Sequence, residues 1–403
     1  MAGRFERLRS DFRTRGPSSV AAFAVVLAAG VLAPQSAQAQ KETVLHSFRG
    51  GSDGVYPSAV IRDTSGNLYG TTDYGGVFNM GTVFRLSKSG EKVLYSFRGK
   101  TDGASPNGLF RDAAGNFYGT TNAGGDVTCN NGSGCGTLFK LDATGKETVL
   151  HRFTDSTTDG GYPAPGLVRD AKGNFYGTTF LGGASNAGTV FKMDTAARVT
   201  VLYSFTGGSG GPDGANPNGV ILDSAGNLYG TTNQGGPDNT GTVFKLDAAG
   251  TETVLYTFTG GNGSTDGKNP TGSLVRDHGG NLYGTTQIGG TVDGGTIFKV
   301  DSTGKETVLY RFSNPGDACC PQSGLVRDAA GNLYGTAGGG TFSYGAVFKL
   351  DTAGNETVLH SFGATGDGEY PLGGLARDTA GHIYGVTQQG GAFGWGTVFT
   401  IAP

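Results

Sequence analysis

The chain has 403 residues, of which 76 are glycine, with aromatic residues at 10%, charged residues at 16% and a formal net charge of -3. Glycine at this level without a Gly-X-Y period excludes collagen, and regular short apolar runs at low net charge exclude a disordered chain. A near-neutral chain without a basic stripe excludes nucleic acid as a partner.

The first element is an export signal. Arg4, Arg7, Arg9, Arg13 and Arg15 precede an apolar run of 14 residues from Val20 to Ala33, and Ala37-Gln38-Ala39 then offers small residues at the spacing a signal peptidase reads. Such a run falls short of the roughly 20 residues that span a bilayer. Residues 1–39 therefore read as a secretory signal peptide, cleaved near Ala39. No second apolar run follows, so the mature chain, 40–403, is expected to be secreted, periplasmic or extracellular, with no transmembrane segment.

Three strings then recur seven times. One like Val-Leu-Tyr-Ser-Phe ends at Phe48, Phe97, Phe153, Phe205, Phe258, Phe312 and Phe362, at intervals of 49 to 56 residues. One like Asn-Leu-Tyr-Gly starts at Asn67, Asn116, Asn174, Asn227, Asn281, Asn332 and His382. One like Gly-Thr-Val-Phe starts at Gly81, Gly136, Gly188, Gly241, Gly295, Gly345 and Gly396. Each unit holds four short strand candidates, A to D from inner to outer. In the fourth unit they are 219–223, 227–232, 241–246 and 252–258, separated by Asp/Gly/Asn turns. Apolar residues fall on both faces of these strands, which suits blades packed between neighbouring blades. Four strands in about 50 residues is the period of a propeller. The expected fold is all-β: one seven-bladed β-propeller of four-stranded blades. The phase of the repeat predicts how the ring closes. The mature chain opens on a D-type strand, Glu42 to Phe48, and ends on A, B and C strands, so the N-terminal strand completes the last blade and hides two sheet edges.

The sequence Asp-Ala-Ala-Gly-Asn-Leu-Tyr-Gly-Thr-Thr, then Gly-Gly, Gly-Thr-Val-Phe-Lys-Leu-Asp and Glu-Thr-Val-Leu-Tyr-Ser-Phe resembles the GloVer tandem repeat of bacterial extracellular proteins over residues 41–401. The resemblance implies an extracellular repeat protein and brings no assigned activity. Some members of that family carry a C-terminal surface-sorting segment. This chain ends Ile401-Ala402-Pro403, so surface anchoring is not expected from the resemblance.

An exported chain permits disulfides. Cys129 and Cys135 flank a polar excursion, 130–134, and read as a loop staple. Cys319 and Cys320 are adjacent; a vicinal disulfide, two free thiols and pairing with another chain all remain open for them.

Residues present in every unit are explained by the fold, so a binding site is sought in departures from the repeat. Asp53, Asp102, Asp159, Asp213, Asp266, Asp317 and Asp367 each precede a Pro by four residues and read as turn residues rather than a cation ring. His46, His151 and His360 stand where other units have Tyr95, Tyr203, Tyr256 and Tyr310, and His278 and His382 lie at A–B turns; none has metal-ligand spacing. No catalytic residue is assigned, and no metal or cofactor is expected. The clearest departures are in the B–C links. Units one, six and seven carry Val77-Phe78-Asn79-Met80, Thr341-Phe342-Ser343-Tyr344 and Ala392-Phe393-Gly394-Trp395. In a closed ring these units are neighbours, and Tyr56 and Tyr370, each before the Pro of a D–A link, fall in the same sector. The candidate ligand-binding set is Phe78, Met80, Phe342, Tyr344, Phe393, Trp395, Tyr56 and Tyr370, for a polysaccharide, a cell-wall component or a protein. The competing reading is that these rings pack the seam where the ring closes. The expected function is a secreted, monomeric, non-enzymatic binding or scaffold module. The alternative is an extracellular polymer-acting enzyme, of glycoside hydrolase or lyase type, using loop-face carboxylates. Asp73, Asp126, Asp155 and Glu369 are isolated candidates for that role, each read first as a solvated loop charge.

Overall fold

A computed structural model describes residues 42–207, 211–260, 266–313 and 318–403; the expected signal peptide and Asp317 lie outside the described residues. Val, Thr, Phe and Tyr crowd the repeat in short runs, and Asp-x-x-Gly punctuates them, so the backbone forms extended strands joined by tight turns. In blade one the strands are A, Val55–Arg62; B, Leu68–Tyr74; C, Thr82–Ser87; and D, Gly90–Ser96. They pair antiparallel in sequence order, with B against C running from Leu68↔Leu86 to Thr72↔Thr82. Seven such sheets form a seven-bladed propeller, with no α-helix among the described residues.

The turns explain the repeat's polar residues. Asp223 accepts from the Ala225 and Asn227 amides, both at 2.9 Å, from the Asn227 side chain at 2.9 Å and from the Tyr229 hydroxyl at 3.1 Å. One aspartate thus fixes the turn and the start of strand B. The arginine ending the next blade's A strand covers the same tyrosine: Arg276 lies 5.5 Å from the centroid of Tyr229 and Arg377 5.4 Å from that of Tyr334.

The seams between blades explain the apolar residues. The Phe that follows each D strand meets the Phe of the next blade's C strand, from Phe48–Phe84 around to Phe362–Phe399, with centroids 5.0 to 5.3 Å apart. All of these rings are buried. The Gly of Asn-Leu-Tyr-Gly makes room for them, because a Cβ on Gly70 would come within 2.5 Å of the Phe84 ring and one on Gly385 within 2.5 Å of the Phe399 ring.

Ring closure follows the expected phase. Glu42–Ser47 pairs antiparallel with Thr397–Ile401, from Glu42↔Ile401 to Ser47↔Thr397, and completes blade seven as its D strand. The A strands begin earlier than the sequence suggested. In blade four strand A opens at Ala215–Pro217, before the proline, breaks, and resumes at Ile221–Leu222, both parts pairing with Leu228–Gln234. Tyr56 accordingly stands inside an A strand rather than in a link.

Blade six departs from the others in a coordinated way. Six blades bury a Thr–Thr hydrogen bond between strands B and C, such as Thr179–Thr189 at 2.8 Å and Thr72–Thr82 at 2.9 Å. In the same six blades a Gly faces the first Thr; a Cβ on Gly160 would lie 2.3 Å from the Thr179 side chain. Blade six has Ala337 and Ala346 in place of the two Thr and Ala318 in place of the Gly, all buried together. The methyl of Ala318 occupies space that a threonine fills elsewhere. Gly160→Ala should therefore cost about 1–3 kcal/mol by overpacking. Adding Thr179→Ala and Thr189→Ala should recover most of the loss in a urea melt. Equal stability of single and triple variants would contradict this.

The seams also make stability pH-dependent. Burial first, and then the turn aspartate of the adjoining blade, pushes Glu42, Glu91, Glu147, Glu252 and Glu306 each up to about 7 from the usual 4.5. One oxygen of each is shut from water with no hydrogen-bond partner among the described residues. Between pH 4.5 and 7 the folded state therefore binds protons that the unfolded state does not, and stability falls as pH rises through this window. His46, which burial lowers from 6.5, pulls the other way as a single group. At the acid end, burial raises the A–B turn aspartates such as Asp223, but the hydrogen bonds from Asn227 and Tyr229 outweigh it and leave them below 3.8, so their contribution is lost as pH falls further. Thermal melts should place maximum stability near pH 4.5–5, with a lower midpoint at pH 8. A midpoint higher at pH 8 than at pH 5 would contradict the assignment.

Candidate functional site

The B–C and D–A links emerge on one face and bond to each other, as in Gly76 N–H to the Gly51 carbonyl at 2.7 Å and Gly236 N–H to the Gly211 carbonyl at 3.0 Å. The six described recurring aspartates of this face are engaged in the turns. Asp213 accepts from the Thr206 amide at 2.9 Å and from the Tyr203 hydroxyl at 2.7 Å. Asp367 takes the same place between the Gly363 amide at 3.3 Å and His360 Nε2 at 2.9 Å. His151 likewise meets Asp159 at 3.1 Å, and His46 lies 3.6 Å from Asp53. His151 and His360 thus do the work of the tyrosines they replace, whereas His46 Nε2 has no hydrogen-bond partner among the described residues. His382 Nδ1 lies 3.2 Å from Asp378 at an A–B turn.

A second ring of positions builds the site. The residue before each blade's proline is left-handed in all seven blades: Tyr56, Ser105, Tyr162, Asn216, Asn269, Cys320 and Tyr370 have φ between 52° and 58°. This conformation costs a non-glycine residue about 1–2 kcal/mol. Each amide is compensated by a hydrogen bond of 2.7 to 3.2 Å to the preceding blade, at the residue just before its Gly-Thr-Val-Phe string. Two distant sequence positions are thereby set side by side at every seam. At the seam of blades seven and one they are Trp395 and Tyr56, and at that of blades six and seven Tyr344 and Tyr370.

The aromatic residues flagged in the sequence thus meet in pairs. Tyr56 lies 6.0 Å from Trp395 and 6.2 Å from Tyr74, and Tyr344 lies 5.8 Å from Tyr370. In the B–C links of blades one, six and seven the middle residue, Asn79, Ser343 or Gly394, is left-handed, and the apolar residues flank it. Phe78, Phe342 and Phe393 are 49, 51 and 52% exposed, and Met80, Tyr344, Tyr370 and Trp395 38 to 40%. Among the described residues, nine of the twelve large apolar side chains left exposed belong to blades six, seven and one on this face; the nine include Tyr74 and Val77. Rings serving only to seal the seam would be covered, as Phe48 and Phe362 are. Two cations border the sector: Arg49 lies 5.7 Å from the Phe393 centroid and Arg98 5.9 Å from that of Phe78. Sequence reasoning missed both arginines and Tyr74. The available signal was that Arg follows the recurring Phe only in Ser-Phe-Arg-Gly at 47–50 and 96–99.

A cavity of about 560 Å³ runs along the axis, lined by the A strands of the seven blades or the breaks within them and, from the B-strand ends, by Asp73, Phe180 and Gln388. Burial pushes Asp73 up to about 6. Asp126 is tied to its own loop through Thr128, and none of Asp73, Asp126, Asp155 and Glu369 is hydrogen-bonded to another of the four. Cys129 and Cys135 are disulfide-bonded, with Cα atoms 5.8 Å apart. Cys319 and Cys320 are free thiols with sulfurs 3.0 Å apart, and burial pushes Cys320 up to about 12.

A family model of the Gloeobacter/Verrucomicrobia repeat matches the sequence over residues 29–212, 126–337 and 209–399. No curated protein matches it. Among solved structures the chain is similar to virginiamycin B lyase from Staphylococcus aureus, with a TM-score of 0.60 and 13% identity over 90% of this chain and 98% of that one. It is also similar to the extracellular domain of the hybrid two-component system BT3049 from B. thetaiotaomicron, with a TM-score of 0.59 and 14% identity over 90% of this chain and 41% of that one. At these identities the likeness is one of fold, and function rests on the site.

Proposed function

Because the chain belongs to the Gloeobacter/Verrucomicrobia repeat family, whose repeat accounts for the ring but not for the residues that break it, we propose that this protein is a secreted, non-enzymatic binding module whose aromatic sector on blades six, seven and one holds an extracellular polysaccharide. The observation that carries this reading is the gathering into that one sector of nine of the twelve large apolar side chains left exposed among the described residues. Half-exposed rings such as Phe393 and Trp395 offer flat faces on which pyranose rings stack, and they do so at low conformational cost. Tyrosine hydroxyls and the guanidinium groups of Arg49 and Arg98 add donors at the rim, where sugar hydroxyls need partners. Export fits the arginine-rich leader and the Cys129–Cys135 disulfide. Calorimetry of the purified protein against a panel of cell-wall and plant polysaccharides tests the reading. Saturable binding by one glycan class, lost in Trp395→Ala with the melting temperature kept, is the expected result. Binding to a protein partner through this face, with no glycan bound, would replace polysaccharide with protein as the ligand. Unfolding of the variant would return the rings to seam packing.

A further inference from the structure

Among the described residues, Asp73 is the one charged side chain lining the axial cavity. It is set at the end of strand B in blade one, where the other six blades carry an amide, an aromatic ring or glycine. Its carboxylate accepts no hydrogen bond from any described residue, and no cation lines the cavity with it. A carboxylate half shut from water in neutral surroundings, with nothing to offset its charge, is a costly feature for a fold to keep. The fold gives no reason for it, since an amide serves in its place at Gln388, the same register of blade seven.

Its position connects it to the aromatic sector. Tyr74 follows it in sequence, and the Tyr74 ring leads through Tyr56 to Trp395. A polymer stacked on blades seven and one therefore has the cavity mouth at its inner end. The cavity, about 560 Å³, is of the size that holds a small ligand or one to two sugar rings. Phe180 and Gln388 line it as well, adding a ring face and a neutral amide but no competing charge.

We propose that the axial cavity is an ammonium-binding subsite, with Asp73 as its counter-charge, for an amino-sugar unit of the polymer held by the aromatic sector. This rests on the reading of that sector as a glycan platform. An ammonium brings three N–H donors and a full positive charge to an unpartnered carboxylate in a region of reduced dielectric, where the attraction is stronger than in water. A neutral hydroxyl brings one hydrogen bond. Acetylation of the amine removes the charge and adds bulk, so the subsite discriminates free from acetylated amino sugars.

The test is calorimetry with glucosamine tetramer and N-acetylglucosamine tetramer on the wild-type protein, Asp73→Asn and Trp395→Ala. Wild type should prefer the glucosamine tetramer by roughly tenfold or more, and Asp73→Asn should remove that preference with little change toward the acetylated tetramer. Since burial holds Asp73 near 6, wild-type affinity for the glucosamine tetramer should fall up to tenfold between pH 7 and pH 5, and Asp73→Asn should lose this pH dependence. Trp395→Ala should weaken both tetramers alike. An unchanged preference in Asp73→Asn, or tighter binding of the acetylated tetramer by wild type, overturns the subsite and leaves the aromatic platform standing. Binding of another glycan in a Trp395-dependent way, with neither tetramer bound, does the same. Failure of every glycan to bind overturns both.

Discussion

Deleting residues 42–48 is expected to abolish the closed ring. These residues supply the whole D strand of blade seven and the Phe48 ring that seals it to blade one. Without them the strand Thr397–Ile401 becomes an exposed edge, a template for pairing with another chain. Phe48, Val60, Leu68, Phe84, Leu86, Val386 and Val398 form one buried cluster, so the deletion opens a core and not only an edge. The scale can be set by one side chain. Phe48→Ala should cost about 3–5 kcal/mol, a large share of the roughly 5–15 kcal/mol that holds a typical protein folded. Leu45→Ala, on the same strand but 40% exposed, should cost under about 1 kcal/mol. Size-exclusion chromatography and urea melts of the deletion and the two point variants check this. A monomeric deletion chain with wild-type stability would contradict closure by the N-terminal strand.

The second large effect is on binding. Trp395→Ala combined with Phe393→Ala should weaken the glycan at least a hundredfold, at about 2 kcal/mol or more for each central aromatic anchor. Stability should change little, because both rings are near half exposed and therefore contribute little to the core. The link between blades seven and one persists in the variant, since the Trp395 group that bonds to the Tyr56 amide is its backbone carbonyl. Binding and stability thus separate the two roles these rings could have. Loss of binding with melting unchanged supports the platform. Loss of several kcal/mol of stability would assign the rings to packing.

The architecture was legible because it is written seven times. The Phe of one strand, the Gly of the next and the Asp-x-x-Gly turns repeat with a period, and the one-strand offset predicts that Glu42–Ser47 meets Thr397–Ile401. That same offset makes blades six, seven and one neighbours, which brings Trp395 next to Tyr56. What the sequence did not disclose are features decided by atoms from different blades. Asp-Gly-x-x-Pro reads as a turn leading into a strand, yet the residue before Pro is already in the strand or at its edge, held left-handed by an amide bond to the preceding blade. The exchange of Gly and two Thr for Ala318, Ala337 and Ala346 has meaning only once a Cβ at Gly160 is seen to meet Thr179. Asp73 looked like an isolated loop charge until the converging A strands enclosed a cavity in front of it. The arginines beside the sector were hidden by composition, since Arg is common in the repeat and only its place after Phe48 and Phe97 sets Arg49 and Arg98 apart.

The exposed aromatic sector, proposed as a glycan-binding surface, carries its own probe, since Trp395 is the only tryptophan. Its intrinsic fluorescence should be followed while the purified protein is titrated with the polysaccharide panel. A glycan-binding Trp395 should show emission typical of a partly exposed indole, since it is 40% accessible, and a saturable spectral change with one class of glycan. A blue emission typical of a buried indole, unmoved by every glycan in the panel, would contradict that role.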